Sequence, residues 1–222
     1  IVKKPFLTGS PVDGTTAKAA LTFFGGMLLM LLAYLLLCSM MLWDSLFLRI
    51  VTNGLVMVAV YALFFLSGMS KGATAVNSGE IMYQRKAEGK PVDAGDLKAC
   101  YHPLKGFVTG LLGSLPFFLC ALVLAVIAQQ QFYGLSALPN WLEPYTRRSD
   151  IGNALAYYSV TDPMGVESVL RLIVRAMMMP LVSIVGTSDS AALLTLERLS
   201  PLVALIPAVF HGIGYTLSLI HI

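Results

Sequence analysis

Residues 21–42 decide the fold, and they read LTFFGGMLLMLLAYLLLCSMML. The run holds 22 residues and no charged side chain. A helix needs about 20 predominantly apolar residues to cross a hydrocarbon core of about 30 Å. Lys18 precedes the run, and Trp43 with Asp44 follows it, which is the charged and aromatic border found where lipid gives way to water. This stretch predicts a first membrane-spanning helix.

The composition of the whole chain agrees with this prediction. Of 222 residues, 57% are apolar or aromatic and 12% are charged, whereas soluble domains average about 45–50% and about 25%. The 15 basic and 12 acidic residues give a net charge of +3 and are spread thinly, unlike those of a nucleic-acid-binding or disordered protein. We expect an all-α integral membrane protein, a polytopic helical bundle whose first partner is the lipid bilayer and which binds no nucleic acid.

Three further apolar segments follow along the chain. Residues 50–69 and 107–128 are long enough to span a membrane, and the turn before the second span is short, so the first two spans are expected to be antiparallel neighbours. Residues 199–216 are marginal in length and carry Pro201 and Pro207, which membrane helices tolerate. About four transmembrane helices are therefore predicted in a single membrane domain, the last of them kinked at Pro207.

The distribution of basic residues predicts the orientation, because Lys and Arg in short loops are retained on the cytoplasmic side. The amino-terminal flank carries three lysines and residues 70–106 carry six basic residues, whereas the turn between the first two spans has Arg49 alone. A cytoplasmic amino terminus and a cytoplasmic 70–106 loop follow. The expected location is a plasma membrane of the bacterial type, crossed several times.

Residues 164–185 form an amphipathic segment of a different kind. Apolar residues recur along it at helical spacing, and Glu167, Arg171 and Arg175 share another face, four residues apart. One hypothesis is an interfacial helix with its arginines among the lipid headgroups. The other is a span whose arginines face a protein interior. The first is favoured, because inserting a central arginine costs about 2.5–3.5 kcal/mol.

Small residues recur at spacings of three or four on several predicted helices. Such spacing lets helix backbones approach closely where lipid supplies no hydrophobic drive. Packing within one chain is the favoured interpretation, and contact in a homo-oligomer is the alternative. The predicted helix-packing positions are Gly68, Gly72, Ala75, Gly79, Gly106, Gly110, Ser114, Ala204, Ala208 and Gly212.

The 70–106 loop is the best candidate for a partner surface. Its first half, to about Ala87, can form an amphipathic helix, and Asp93 or Asp96 can cap a short second helix. The plain alternative is a solvated loop that obeys the positive-inside rule. The basic residues expected to contact a cytoplasmic protein subunit or anionic lipid are Arg85, Lys86 and Lys90.

Few polar residues lie within the apolar segments. Asn53 and His211, together with Arg171 and Arg175, could line a polar path, although hydrogen bonding between helices is the commoner role for Asn and His. The sequence has no nucleotide-binding loop, nucleophile elbow or HExxH motif, and its three cysteines are too far apart for a zinc site. No catalytic residue, cofactor or metal is predicted.

Three functions follow, in order of preference. The first is a non-enzymatic membrane subunit or accessory protein of a larger complex, with the 70–106 loop docking a cytoplasmic partner. The second is a small transporter or channel-like protein that uses the polar path. The third is a membrane enzyme whose catalytic residues lie in a missing part of the chain.

The two ends of the sequence carry a separate expectation. The chain begins at Ile1 and not at Met, so its start is expected to be processed or missing. Residues 217–222 read LSLIHI and look like the translation of a transposase adapter used to prepare sequencing libraries. We expect these six residues to be non-native read-through at the end of a fragment.

Overall fold

A computed structural model describes residues 6–40, 43–128, 165–186 and 189–219. These residues form helices and connecting turns, with no strand among them. Their helices, numbered in chain order, are α1 (Thr16–Met40), α2 (Leu46–Ala87), α3 (Ala94–Ala99), α4 (Lys105–Ile127), α5 (Val166–Met177), α6 (Met179–Val185) and α7 (Ser190–Leu217).

Within the described ranges, α1, α2, α4 and α7 are long and apolar enough to cross a membrane, by length and composition. Each contains one predicted span, except that residues 41–42 of the first span lie outside the described residues. The helix α7 begins nine residues before the span predicted at 199–216. These four helices are compatible with a multi-pass membrane protein.

The helix α2 is much longer than its predicted span. It runs for 42 residues, which is about 63 Å at 1.5 Å per residue and about twice the thickness of a hydrocarbon core. It ends in a Schellman motif, in which the Lys90 amide donates to the Arg85 carbonyl and the Gly89 amide donates to the Lys86 carbonyl. Gly89 has a φ of 71°, a conformation that glycine adopts without a Cβ penalty.

The segment after α2 folds as the sequence predicts. Asp93 is the N-cap of α3, and its carboxylate accepts a hydrogen bond from the Gly95 amide at 3.3 Å. The helix ends at Ala99, before Pro103, whose preceding residue is disfavoured in a helical conformation.

The amphipathic segment differs from its prediction. Residue 164 lies outside the described residues, and the rest forms two helices, α5 and α6, bent by 92° around Met178 in place of the single helix predicted. Pro180 explains the break, because proline has no amide hydrogen and its ring clashes with the carbonyl four residues earlier in a continuous helix. By length and composition, this bent pair fits either a broken span or a re-entrant segment.

The chain divides into two compact units. Unit 1 comprises residues 1–33, 55–118 and 204–222, and unit 2 comprises residues 34–54 and 119–203. In unit 1 the ring of Phe23 packs against Phe64 and His211, each with ring centroids 5.1 Å apart. In unit 2 the buried side chains include Val174, Met177 and Leu193, which lie on α5 and α7.

Candidate functional site

Unit 2 contains a buried ion pair that joins α5 to α7. Arg171 is 3% exposed and Glu197 is 1% exposed. The Arg171 Nε donates to both carboxylate oxygens of Glu197, at 2.9 and 3.1 Å. The prediction that Arg171 lies among lipid headgroups is therefore wrong, and the alternative with the arginine facing the protein interior holds for this residue.

Two more charged residues extend the pair into a network. The Arg175 Nε donates to Glu197 at 2.7 Å, and the Arg171 Nη2 pairs with Glu167 at 2.9 Å. Two positive and two negative charges give a neutral cluster, which is the usual condition for burying ionised groups. We refer to Glu167, Arg171, Arg175 and Glu197 as the charge cluster.

Sequence reasoning missed Glu197. It precedes the predicted fourth span and stands next to Arg198, so it resembles an ordinary charged flank. One signal could have identified it. If the segment with Arg171 and Arg175 faces a protein interior, its two positive charges require a carboxylate from another segment, and Glu197 is such a carboxylate.

Asn53 is also buried in unit 2. Its side chain is 0% exposed, and its Nδ2 donates to the Arg49 carbonyl one turn earlier, at 2.9 Å. The Arg49 Nη1 donates to the Ser183 carbonyl of α6 at 3.4 Å. The Asn53 Oδ1 has no hydrogen-bond partner among the described residues.

His211 belongs to unit 1, whereas the other three residues of the predicted polar path belong to unit 2. Its Nδ1 lies 3.1 Å from the Gly106 carbonyl oxygen. Because a carbonyl only accepts, the Nδ1 carries the hydrogen, and the Nε2 of the neutral ring is an acceptor. The Nε2 finds no partner in the part of the chain that the structure describes. The polar path stays a prediction.

The small residues of unit 1 lie where neighbouring segments approach closely. A Cβ on Gly68 would come within 3 Å of the His211 backbone, and one on Gly79 would lie 2.7 Å from the Leu7 carbonyl. Gly72, Gly106, Gly110 and Gly212 have equally close neighbours within unit 1. Ala75, Ser114, Ala204 and Ala208 are buried. All these contacts lie within the chain, while the homo-oligomer alternative stays a prediction.

The predicted 70–106 loop is part of a folded structure. The amino-terminal segment lies against it, with the Leu7 amide donating to the Gly79 carbonyl at 3.2 Å and the Gly9 amide donating to the Tyr101 carbonyl at 2.8 Å. Tyr101 stacks on Tyr215 at a centroid distance of 5.3 Å. We refer to residues 6–15 and 71–105 as the polar cap.

An ion pair between Asp13 and Lys105 closes the polar cap. Lys105 is buried and also donates to the Ala99 carbonyl at 3.0 Å. Burial opposes the charged form of Asp13. The hydrogen bonds from Lys105, Thr15 and Thr16 and the lysine charge outweigh it, and they lower the pKa of Asp13 from 3.8 to about 2.

The outer face of the polar cap is exposed where α2 ends. Arg85, Lys86 and Lys90 are exposed, and Lys90 pairs with Glu88 at 2.7 Å. Ile81 is 50% exposed and stands one turn before Arg85, on the same side of the helix. Tyr83 is 40% exposed. An apolar side chain flanked by positive charge therefore faces away from the packed side of α2.

A basic cavity lies under the polar cap within unit 1. It has a volume of about 390 Å³ and is lined by three lysines, Lys18, Lys71 and Lys105, together with His211 and Tyr215. An apolar groove of about 320 Å³ between α1 and α2 lies next to it, and Lys71 and Thr22 line both spaces.

Comparisons with protein-family models, curated proteins and solved structures found no match to this chain. Among the described residues, no group of three or more His, Cys, Asp or Glu side chains could hold a metal ion. The candidate sites are thus the polar cap, the basic cavity and the charge cluster, as defined by their own chemistry.

Proposed function

We propose that this chain is a multi-pass membrane protein that acts without catalysis, as a subunit that docks a cytoplasmic protein on the exposed end of α2. The observation that supports this most directly is the length of α2, which at about 63 Å exceeds the hydrocarbon core. Its final turns therefore extend beyond the apolar region, and the hydrogen bonds of the polar cap fix their position.

The partner's chemistry follows from the exposed side chains. Ile81 offers apolar area, Arg85 adds positive charge one turn later on the same face, and Lys86 adds a second positive charge beside it. A complementary surface has an apolar contact bordered by acidic side chains. Because the helix is already ordered, docking pays little conformational entropy.

Cross-linking in cells tests the docking surface. A photo-cross-linking residue at position 81 is expected to capture one cytoplasmic protein, which then binds the purified chain in detergent. Reversal of both charges, Arg85→Glu with Lys86→Glu, is expected to weaken that binding at least tenfold, since like charges across an interface cost several kcal/mol. A cross-link to a second copy of this chain would contradict the proposal.

The matched control reverses two basic residues outside the proposed docking surface. Lys98→Glu with Arg198→Glu changes the net charge equally at two exposed positions that are not on α2. This variant is expected to bind as the parent does. Equal losses from both double variants would mean that only net charge matters, and the docking surface would be withdrawn.

Labelling tests the orientation. A cysteine at Glu88, an exposed residue of the cap, is expected to react with a membrane-impermeant maleimide only after the cells are permeabilised. Labelling of intact cells would place the cap outside and overturn the cytoplasmic partner.

A further inference from the structure

The basic cavity and the apolar groove are neighbouring spaces of different chemical character. Lys71 and Thr22 line both spaces, at the end of the groove that lies beneath the polar cap. A basic space next to an apolar one matches an amphiphile with an anionic head.

Two of the three lysines that line the cavity have no acidic partner among the described residues. Asp13 neutralises Lys105, but Lys18 and Lys71 form no ion pair with any described residue. No carboxylate is among the residues that line the cavity. Two lysines beside a partly enclosed space therefore favour an anionic group there.

A second observation comes from two buried side chains in the cavity wall. His211 is 1% exposed, and its Nε2 acceptor has no partner within the described ranges. Tyr215 is 4% exposed, and its hydroxyl finds no acceptor there. Unpaired buried polar atoms are costly. A ligand that satisfied both would supply a hydroxyl donor and an oxygen acceptor.

The length of the groove matches an acyl chain of one membrane leaflet. On α1 its lining runs from Thr22 to Ala33, and on α2 from Lys71 back to Val60. Each stretch rises about 16 Å along its helix, which is about half of a 30 Å hydrocarbon core. Leu29 and Leu63 are 68% and 65% exposed at its margin. The groove thus has the depth of one leaflet.

We infer that these two spaces together bind one anionic phospholipid with a hydroxyl-bearing headgroup, taken from the leaflet next to the polar cap. The phosphate lies between Lys18 and Lys71, a headgroup hydroxyl donates to the His211 Nε2, and an acyl chain lies in the groove. This inference goes beyond the proposed docking function and uses different residues, so either can fail without the other.

Binding of phosphatidylglycerol to the purified full chain tests the site. The chain is placed in phosphatidylcholine nanodiscs with a small fraction of labelled phosphatidylglycerol. Lys18→Gln and Lys71→Gln are each expected to weaken binding about fivefold, since a lysine near an anionic lipid surface contributes about 1 kcal/mol. Lys98→Gln, an exposed lysine outside the cavity, is the control and is expected to have no effect. Equal losses in all three variants would overturn the site.

Two neighbouring glycines test the groove. Gly26 lines it, and a Cβ there would face the Phe64 ring at 3.6 Å, whereas a Cβ on Gly25 would meet nothing within 4 Å. Gly26→Leu is expected to abolish saturable binding, and Gly25→Leu to preserve it. If Gly26→Leu does not fold, a competition experiment with free glycerol phosphate tests the groove in its place. Complete displacement of the lipid by glycerol phosphate at equal concentration would mean that the site binds only the anionic group, and the acyl-chain groove would be overturned.

His211→Phe tests the headgroup. It keeps a ring against Phe23 and removes the acceptor. The parent is expected to prefer phosphatidylglycerol over phosphatidic acid, which lacks the headgroup hydroxyls, and the variant is expected to lose this preference. A preference that survived His211→Phe would overturn the assignment of the hydroxyl contact.

Discussion

Unit 1 packs its helices through residues with little or no side chain, whereas unit 2 joins α5 to α7 through the charged side chains of Arg171, Arg175 and Glu197. In unit 1, Gly68 and Gly79 let one backbone touch another. In unit 2, Arg171 and Glu197 are buried together. Lipid tails supply no hydrophobic drive between helices, so association needs either close backbone approach or polar pairing. The described residues show both means, with close approach at the glycines of unit 1 and polar pairing in the charge cluster of unit 2.

The largest effect is expected from breaking the charge cluster. Glu197→Gln leaves Arg171 and Arg175 without their shared carboxylate, and removal of one partner from a buried pair costs about 3–5 kcal/mol. Thermal unfolding in detergent micelles, followed by circular dichroism, should show this loss. Arg198→Gln, at the exposed next residue, is expected to change the free energy of unfolding by less than about 0.5 kcal/mol.

A triple variant tests whether the loss in Glu197→Gln comes from the unpaired arginine charges. Replacing Glu197, Arg171 and Arg175 together by Leu or Met removes the uncompensated charge as well as the pair. Buried ion networks replaced by apolar residues of similar size are often no less stable, so the triple variant should recover most of the loss. A triple variant as unstable as Glu197→Gln would mean that specific hydrogen bonds, and not charge balance, stabilise the unit.

An intermediate effect is expected from the glycines of unit 1. Gly68→Ala forces a Cβ against the His211 backbone, and such overpacking costs about 1–3 kcal/mol. Gly25→Ala has open space around it and is expected to be neutral or to stabilise α1 by up to about 1 kcal/mol through helix propensity. The same unfolding assay compares them, and equal behaviour of the two would contradict the close approach.

The smallest effect is expected from Asp13→Asn, which breaks the ion pair of unit 1. Because the folded pKa of Asp13 is about 2 against 3.8 for the free side chain, its stabilisation is present above pH 3.8 and lost as the pH falls toward 2. The shift corresponds to about 2 kcal/mol at most. Proteolysis of the polar cap at pH 7 and pH 3 measures it. The parent should become more sensitive at pH 3, and the variant should show the smaller change between the two pH values.

Patterns that depend on a single helix were predictable from the sequence. The apolar run at residues 21–42, the continuation of α2 to Ala87 and the cap at Asp93 each rest on neighbours within a few turns. The break at Met178 rests on Pro180 in the same way, but the helical spacing of apolar residues on both sides concealed it. Residues close together in the sequence therefore determine both the helices and the bend, although the apolar spacing by itself predicts no bend.

Contacts between distant segments were not predictable in the same way. Glu197 stands 26 residues from Arg171, and no spacing rule connects a carboxylate on one helix with a guanidinium on another. The basic cavity gathers Lys18, Lys71 and His211 from three helices. Each is ordinary alone, and both lysines are typical of the charged borders of membrane spans.

By itself the sequence determined the all-helical fold class, the four long apolar helices of the described ranges and the small residues available for packing, because hydrophobicity and helical period are properties of consecutive residues. Only the tertiary structure decided which charges are buried together, which glycines meet a backbone, and that a basic cavity lies next to an apolar groove. These features depend on distances between segments far apart in the chain, and those distances are fixed when the helices pack.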